Sequence, residues 1–249
     1  MTMKTITKII SLSAMTLALA SCSDLGSNPM HSAERSRNLD NPKVTGETYA
    51  QQVCSTCHGL NGQSINPTFP NLAHQTKEYI ATELHELKDE TRLDPKAQQF
   101  MWGVARNLTD KQINELADYY SKQPAPVNTN YADPKLAAEG KKIWQEGNLS
   151  QGVPACSGCH GENAEGAANI PRLAGQHKNY LYKQLMVFND DYELVNDHKD
   201  IQSNLELPGT QENGQPWRAG NNGAVMELMA HGLNDEQKEA VANYLQTVR

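Results

Sequence analysis

The sequence predicts an all-α chain made of two small domains in tandem, and three observations carry that expectation. Apolar residues make up 38% of the 249 positions and aromatic residues 6%, which is thin for one large side-chain core. One pattern of residues occurs twice, in the same order. Wherever periodicity can be read it is helical, and no segment alternates convincingly with a period of two.

The chain opens with an export signal. Lys4 and Lys8 precede an apolar stretch from Ile9 to Ala20. The stretch ends in Leu19-Ala20-Ser21-Cys22, which resembles a bacterial lipobox, so residues 1–21 are expected to be removed and Cys22 to carry the lipid. Ordinary cleavage after Ala20 is the alternative, but it leaves Cys22 as a lone exported thiol. By the same resemblance, Ser23 permits sorting to the outer membrane. Residues 22–42 are polar, contain Pro29 and Pro42, and read as a flexible tether. No run of eighteen apolar residues follows, so no membrane-spanning helix is expected in the mature chain. The formal charge of −7 argues against non-specific nucleic-acid binding.

The duplication starts beyond the tether. Cys54-Ser55-Thr56-Cys57-His58-Gly59 returns as Cys156-Ser157-Gly158-Cys159-His160-Gly161. Pro70-Asn71-Leu72-Ala73-His74-Gln75 returns as Pro171-Arg172-Leu173-Ala174-Gly175-Gln176. Lys77-Glu78-Tyr79-Ile80 matches Lys178-Asn179-Tyr180-Leu181, and Met101 with Leu108 matches Met226 with Leu233. Each copy ends in a helix with its own start signal. Thr109 and Gln112 have the spacing of a capping box ahead of Ile113, Leu116, Ala117 and Tyr120. Asn234 caps a stripe of Val241, Tyr244, Leu245 and Val248. Glu78 to Lys88 also reads as helix. Domains are therefore expected at 43–123 and 135–249, joined by a linker, 124–134, that holds Pro124, Pro126 and Pro134.

The motif Cys-x-x-Cys-His marks covalent attachment of c-type haem. Two thiols three residues apart lie on one helical turn and can each add to a vinyl group, while the adjacent imidazole points at the iron. Haem also supplies the apolar core that the composition lacks. A zinc ribbon would bring its two cysteine pairs some 15–20 residues apart, whereas Cys57 and Cys156 are separated by 99. A thioredoxin-like pair would want a βαβ setting, and simple disulfides leave both histidines unexplained.

A methionine opposite the histidine raises the potential and closes the iron site. Met101 is the one methionine between His58 and the linker. In the second copy Met186 and Met229 compete, but Met226 matches the repeat. The remaining histidines, His74, His85, His177, His198 and His231, stand where the other copy has different residues, and His31 lies in the tether. An axial imidazole usually donates its other N–H to a carbonyl, and Pro70 and Pro171 are the candidates to supply it.

Taken together, residues 43 to 249 resemble a two-haem class I cytochrome c of the cytochrome c4 group. The resemblance implies two tandem class I cytochrome c domains, each wrapped around one covalent haem c. Cys54, Cys57, Cys156 and Cys159 would be the thioether sites, and His58, Met101, His160 and Met226 the axial ligands. It implies an electron carrier and not an enzyme, lipid-anchored in the periplasm and relaying electrons between respiratory complexes toward a terminal oxidase. Implied partners are membrane redox complexes: a terminal oxidase, a quinol-oxidising complex or a dehydrogenase. Two alternatives stay open: the accepting subunit of a periplasmic dehydrogenase or sulfur-oxidising enzyme, and a two-haem peroxidase-like enzyme, which would need an open iron site. One departure stands out. His58 and Met101 are 43 residues apart but His160 and Met226 are 66 apart. The excess falls within 189–222, an acidic insert with seven carboxylates between Asp190 and Glu212 against Lys199. It reads either as a solvated loop or as a docking loop that steers a basic partner.

Overall fold

The computed structural model describes residues 41–189, 217–218 and 223–249. The leader, Cys22, nearly all of the tether and most of the acidic insert lie outside the described residues. No strand occurs among the described residues; there are only isolated bridges such as Arg92 with Arg218.

The first half runs through α1 (Gly46–Tyr49), a π-helical turn (Ala50–Cys54) and α2 (Ser55–His58). It continues with α3 (Lys77–Lys88), α4 (Pro95–Ala97), a second π-helical turn (Gln98–Trp102), α5 (Gly103–Ala105) and α6 (Asp110–Ser121). The second half holds α7 (Pro134–Glu146), a 3-10 turn (Leu149–Gln151), α8 (Ser157–His160), α9 (Lys178–Phe188), α10 (Gly223–His231) and α11 (Asp235–Thr247).

Local chemistry accounts for the helix starts. Thr109 and Asn234 each accept from the backbone N–H three residues on, and Gln112 and Gln237 reach back to the cap N–H, so both are full capping boxes. Thr76 caps α3 by accepting from Tyr79 N. Asp133 caps α7 with Pro134 in its first turn, so the last linker proline opens a helix instead of ending the linker.

In each half the first helix packs on the last. The stripe predicted for α6 is buried, with Ile113 and Ala117 at 0% exposure, and it closes a core with Val44, Tyr49, Ile80 and Leu108. Burying each such large aliphatic side chain contributes roughly 1.5–3 kcal/mol. The second core gathers Ile143, Trp144, Leu181, Leu233, Val241 and Leu245. Gly140 lets α7 cross α11 closely, because a Cβ there would run into the Ala240 carbonyl. Gly46 plays the same part against Glu115 and Leu116 on α6. The two glycines occupy the same place in the duplicated frame.

Candidate functional site: two cysteine-histidine centres with a shared wall

Cys54 closes the first π-helical turn, and Cys57 and His58 lie on α2, so both thiols and the imidazole come from one short helical stretch. Cys156, the N-cap residue of α8, repeats this with Cys159 and His160 on that helix. None of the four cysteines is disulfide-bonded. Burial pushes the thiols of Cys54 and Cys156 up to about 11, so both sit in the apolar wall as neutral groups. That environment opposes the thiolate a zinc site needs.

The histidines are oriented by the loops that follow. His58 Nδ1 donates to Pro70 O at 2.9 Å, and His160 Nδ1 donates to Pro171 O at 3.0 Å. A carbonyl can only accept, so each ring carries its proton on Nδ1 and leaves Nε2 with a free lone pair. Burial, only partly offset by the bond to the proline carbonyl, holds both imidazoles below their ordinary value. Both stay neutral at pH 7. His58 Nε2 is buried with no hydrogen-bond partner, an arrangement that costs free energy unless a metal uses the lone pair.

Both prolines are held rigidly. Leu72 N and Ala73 N donate to Gly62 O at 2.7 and 3.0 Å, and Leu173 N and Ala174 N donate to Ala164 O at 2.9 and 3.1 Å. The next residue of each loop donates to the last helix: His74 N to Tyr120 O at 2.9 Å and Gly175 N to Leu245 O at 3.0 Å. That residue must take a positive φ, 72° at Gly175 and 58° at His74. His74 is thus an exposed loop histidine in the slot that glycine fills in the other half.

Met101 sits on the second π-helical turn, packs against Leu87, Ala97 and Ala105, and borders the same cavity as Cys54 and His58. Met226, on α10, borders a second cavity with Cys156, Cys159 and His160. Met229 borders that cavity too, one turn along, and packs against the second core. Met186 is buried at 1% and does not border it. The residues fit a covalently held porphyrin: each cavity has mostly apolar walls, the imidazole of a Cys-x-x-Cys-His turn and a thioether, with Cys54 on the first cavity and both Cys156 and Cys159 on the second.

Neither cavity belongs to one half alone. The first is bordered by Pro171, Arg172 and Gln176 of the second half, and the second by Tyr79, Thr82 and Glu83 of the first. Between them lies a buried ionic network. Glu83 pairs with both Arg92 and Arg218, Arg92 Nε donates to Asp94 at 2.7 Å, and Gln184 Oε1 accepts from both arginines. Burial alone would raise the Glu83 carboxyl, but Arg218 and Arg92 outweigh it and hold it down at about 2.

The seam contains further residues that the motifs did not single out. Gln75 donates to Arg172 O at 2.9 Å and accepts from Arg172 N at 2.7 Å. Gln176 donates to Asn71 O at 2.9 Å and accepts from Asn71 N at 2.8 Å. His177, 3% exposed, joins Ser64 O through Nε2 at 2.9 Å and Asn128 through Nδ1 at 3.1 Å, so it is an interface residue. The signal for the glutamines was present, since they close the duplicated Pro-x-Leu-Ala-x-Gln pattern. Nothing local signalled Glu83, Arg92 or Arg218.

Comparison with known proteins agrees with this geometry. The Cytochrome c family model matches residues 44–123 and again 137–249. A cytochrome c4 of Thiocapsa roseopersicina is 36% identical over 205 residues, covering 81% of this chain and 90% of that protein. A thiosulfate dehydrogenase electron acceptor of Thiomonas intermedia is 32% identical over 200 residues, covering 77% of this chain and 76% of that protein. The crystal structure of reduced recombinant cytochrome c4 from Pseudomonas stutzeri superposes with a TM-score of 0.62 at 31% identity, over 82% of this chain and 97% of that one. With two Cys-x-x-Cys-His centres, two family matches and a helical fold shared with such structures, the chain belongs to the cytochrome c family, in its two-haem class I cytochrome c4 group, and binds two haem c covalently.

Proposed function

We propose that the chain is an electron carrier whose two irons are each closed by an imidazole and a thioether, His58 with Met101 and His160 with Met226. Bound haem supplies a one-electron iron couple; the protein supplies its attachment, its ligands and a mostly apolar wall. The haem domains are assigned to 43–123 and, because Pro134 opens α7, to 134–249, with the linker at 124–133. The carrying observation is the buried lone pair of His58 Nε2, which lacks a hydrogen-bond partner on a cavity shared with Cys54 and Met101. His58 and His160 are pinned at Nδ1, so neither ring needs to reorganise when the charge on the metal changes. The mostly apolar walls favour a water-poor iron site once haem fills the cavity, which suits a relay and opposes the ligand exchange a peroxidase requires.

In this reading the carrier works in the periplasm, tethered by lipidated Cys22 and residues 22–42, and passes electrons between respiratory complexes toward a terminal oxidase. A tether raises the effective concentration of the carrier near membrane partners. A second reading is favoured by the relative named as a thiosulfate dehydrogenase electron acceptor: entry of electrons from a sulfur-oxidising enzyme.

Haem quantification and the oxidised visible spectrum of the full chain test the proposal. Two c-type haems per chain and a methionine–iron charge-transfer band of two-centre intensity are expected. A high-spin iron, or ready cyanide binding in the wild type, would overturn the carrier reading. Stopped-flow reduction by a thiosulfate dehydrogenase, compared with oxidation by a terminal oxidase, separates the two partner readings.

A further inference from the structure

We infer that Gln75 and Gln176 are positioning residues that act crosswise, each tuning the axial imidazole of the opposite half. The inference rests on His58 and His160 being the iron ligands proposed above. The carbonyl that receives the His58 N–H belongs to Pro70, and the N–H at the other end of that same peptide group belongs to Asn71. Asn71 N donates at 2.8 Å to Gln176 Oε1, a side chain from the second half. The hydrogen-bond chain therefore runs from His58 Nδ1 through one amide to Gln176. The mirror chain runs from His160 Nδ1 to Pro171 O, through the peptide to Arg172 N, and on to Gln75 Oε1 at 2.7 Å.

An amide that donates at one end is a stronger acceptor at the other, because each hydrogen bond polarises the group it shares. The glutamines thus strengthen the Nδ1–H···O bonds and make the imidazoles more basic ligands, which favours the oxidised metal. Each glutamine also donates its own N–H to the carbonyl of the clamped residue, Gln176 to Asn71 O and Gln75 to Arg172 O, both at 2.9 Å. The clamped loop cannot swing without losing both bonds. Gln75 and Gln176 are 7% and 5% exposed, so water does not compete for these positions. The arrangement is reciprocal, and neither half can form it alone.

The test uses the full haem-loaded chain with Gln75→Met or Gln176→Met, variants close to isosteric that lack the amide. Potentiometric titration reads the two potentials, and a Met101→His chain, altered at the first centre alone, assigns them. Gln176→Met is expected to raise the potential of the His58 centre, and Gln75→Met that of the His160 centre. Each shift is expected to be roughly two- to threefold in the reduction equilibrium, about 20–30 mV at 59 mV per tenfold. The hyperfine-shifted Nδ1–H resonance of the same crosswise histidine should move as well. If the methionine variants do not accumulate, Gln75→Asn and Gln176→Asn keep the amide but fall short of the partner peptide, and the same crosswise pattern is expected. Shifts confined to the centre of the mutated half, equal shifts at both, or none would overturn the inference. A wild type without two histidine–methionine spectra would instead overturn the ligand assignment.

Discussion

Replacing Glu83 by glutamine tests the ionic wall between the two centres. Glu83 faces Arg92 and Arg218, and its carboxyl is held at about 2 against an ordinary value of 4.5. A carboxyl with a depressed native value stabilises the fold fully above the unfolded value, and that stabilisation is lost as pH falls toward the native one. At 1.36 kcal/mol per pH unit the gap corresponds to about 3 kcal/mol at pH 7. This agrees with the roughly 3–5 kcal/mol seen when one partner of a buried ion pair is removed. Glu83→Gln should therefore lower stability by about 3 kcal/mol at pH 7, and the difference from wild type should shrink to about half of that at pH 3. Urea unfolding of the holoprotein, followed by circular dichroism at both pH values, measures this; urea is uncharged and does not screen the pair. A difference that is the same at pH 7 and pH 3 would refute the assignment, because it would show that the loss comes from packing and not from charge.

Other outcomes follow from the packing and the centres. Thr109→Ala removes one capping box and should cost about 1 kcal/mol in urea unfolding, with Asn234→Ala similar in the second half. Gly140→Leu forces a side chain into the Ala240 carbonyl and should cost about 1–3 kcal/mol or more, read as a lowered Tm with α7 and α11 loosened. Met101→Ala should halve the methionine–iron charge-transfer band and make one iron bind cyanide, while Met226→Ala does the same at the other. A band that survives Met226→Ala at full strength would mean that Met229 occupies the position. Deleting residues 190 to 212 should flatten the salt dependence of electron exchange with a basic partner if the acidic insert docks it; an unchanged dependence would leave the insert a solvated loop.

Much of the local architecture could be read from residue order. The Cys-x-x-Cys-His motifs, the capping box at Thr109, the N-cap at Asn234 and the buried stripe on α6 depend on residues within a turn or two of each other. Such relations are written directly in the spacing. The duplication made two haem domains legible, because each repeated motif carried the same chemistry in the same order. His177 shows the limit. In sequence it was an unmatched histidine; in the structure it is buried, joined to Ser64 across 113 positions of chain.

Residue order by itself marked the cysteines that attach the cofactors and the two final helices, α6 and α11, with their starts at Thr109 and Asn234. Tertiary structure decided how the halves meet: Gln75 on Arg172, Gln176 on Asn71, and Glu83 between Arg92 and Arg218, pairs drawn from separations of 9 to 135 residues. A turn or a cap involves neighbours in the chain and leaves a periodic or spaced signature. A buried polar contact between distant segments leaves none, because any donor and acceptor of suitable reach could satisfy it. Only the docking of one half on the other selects which do.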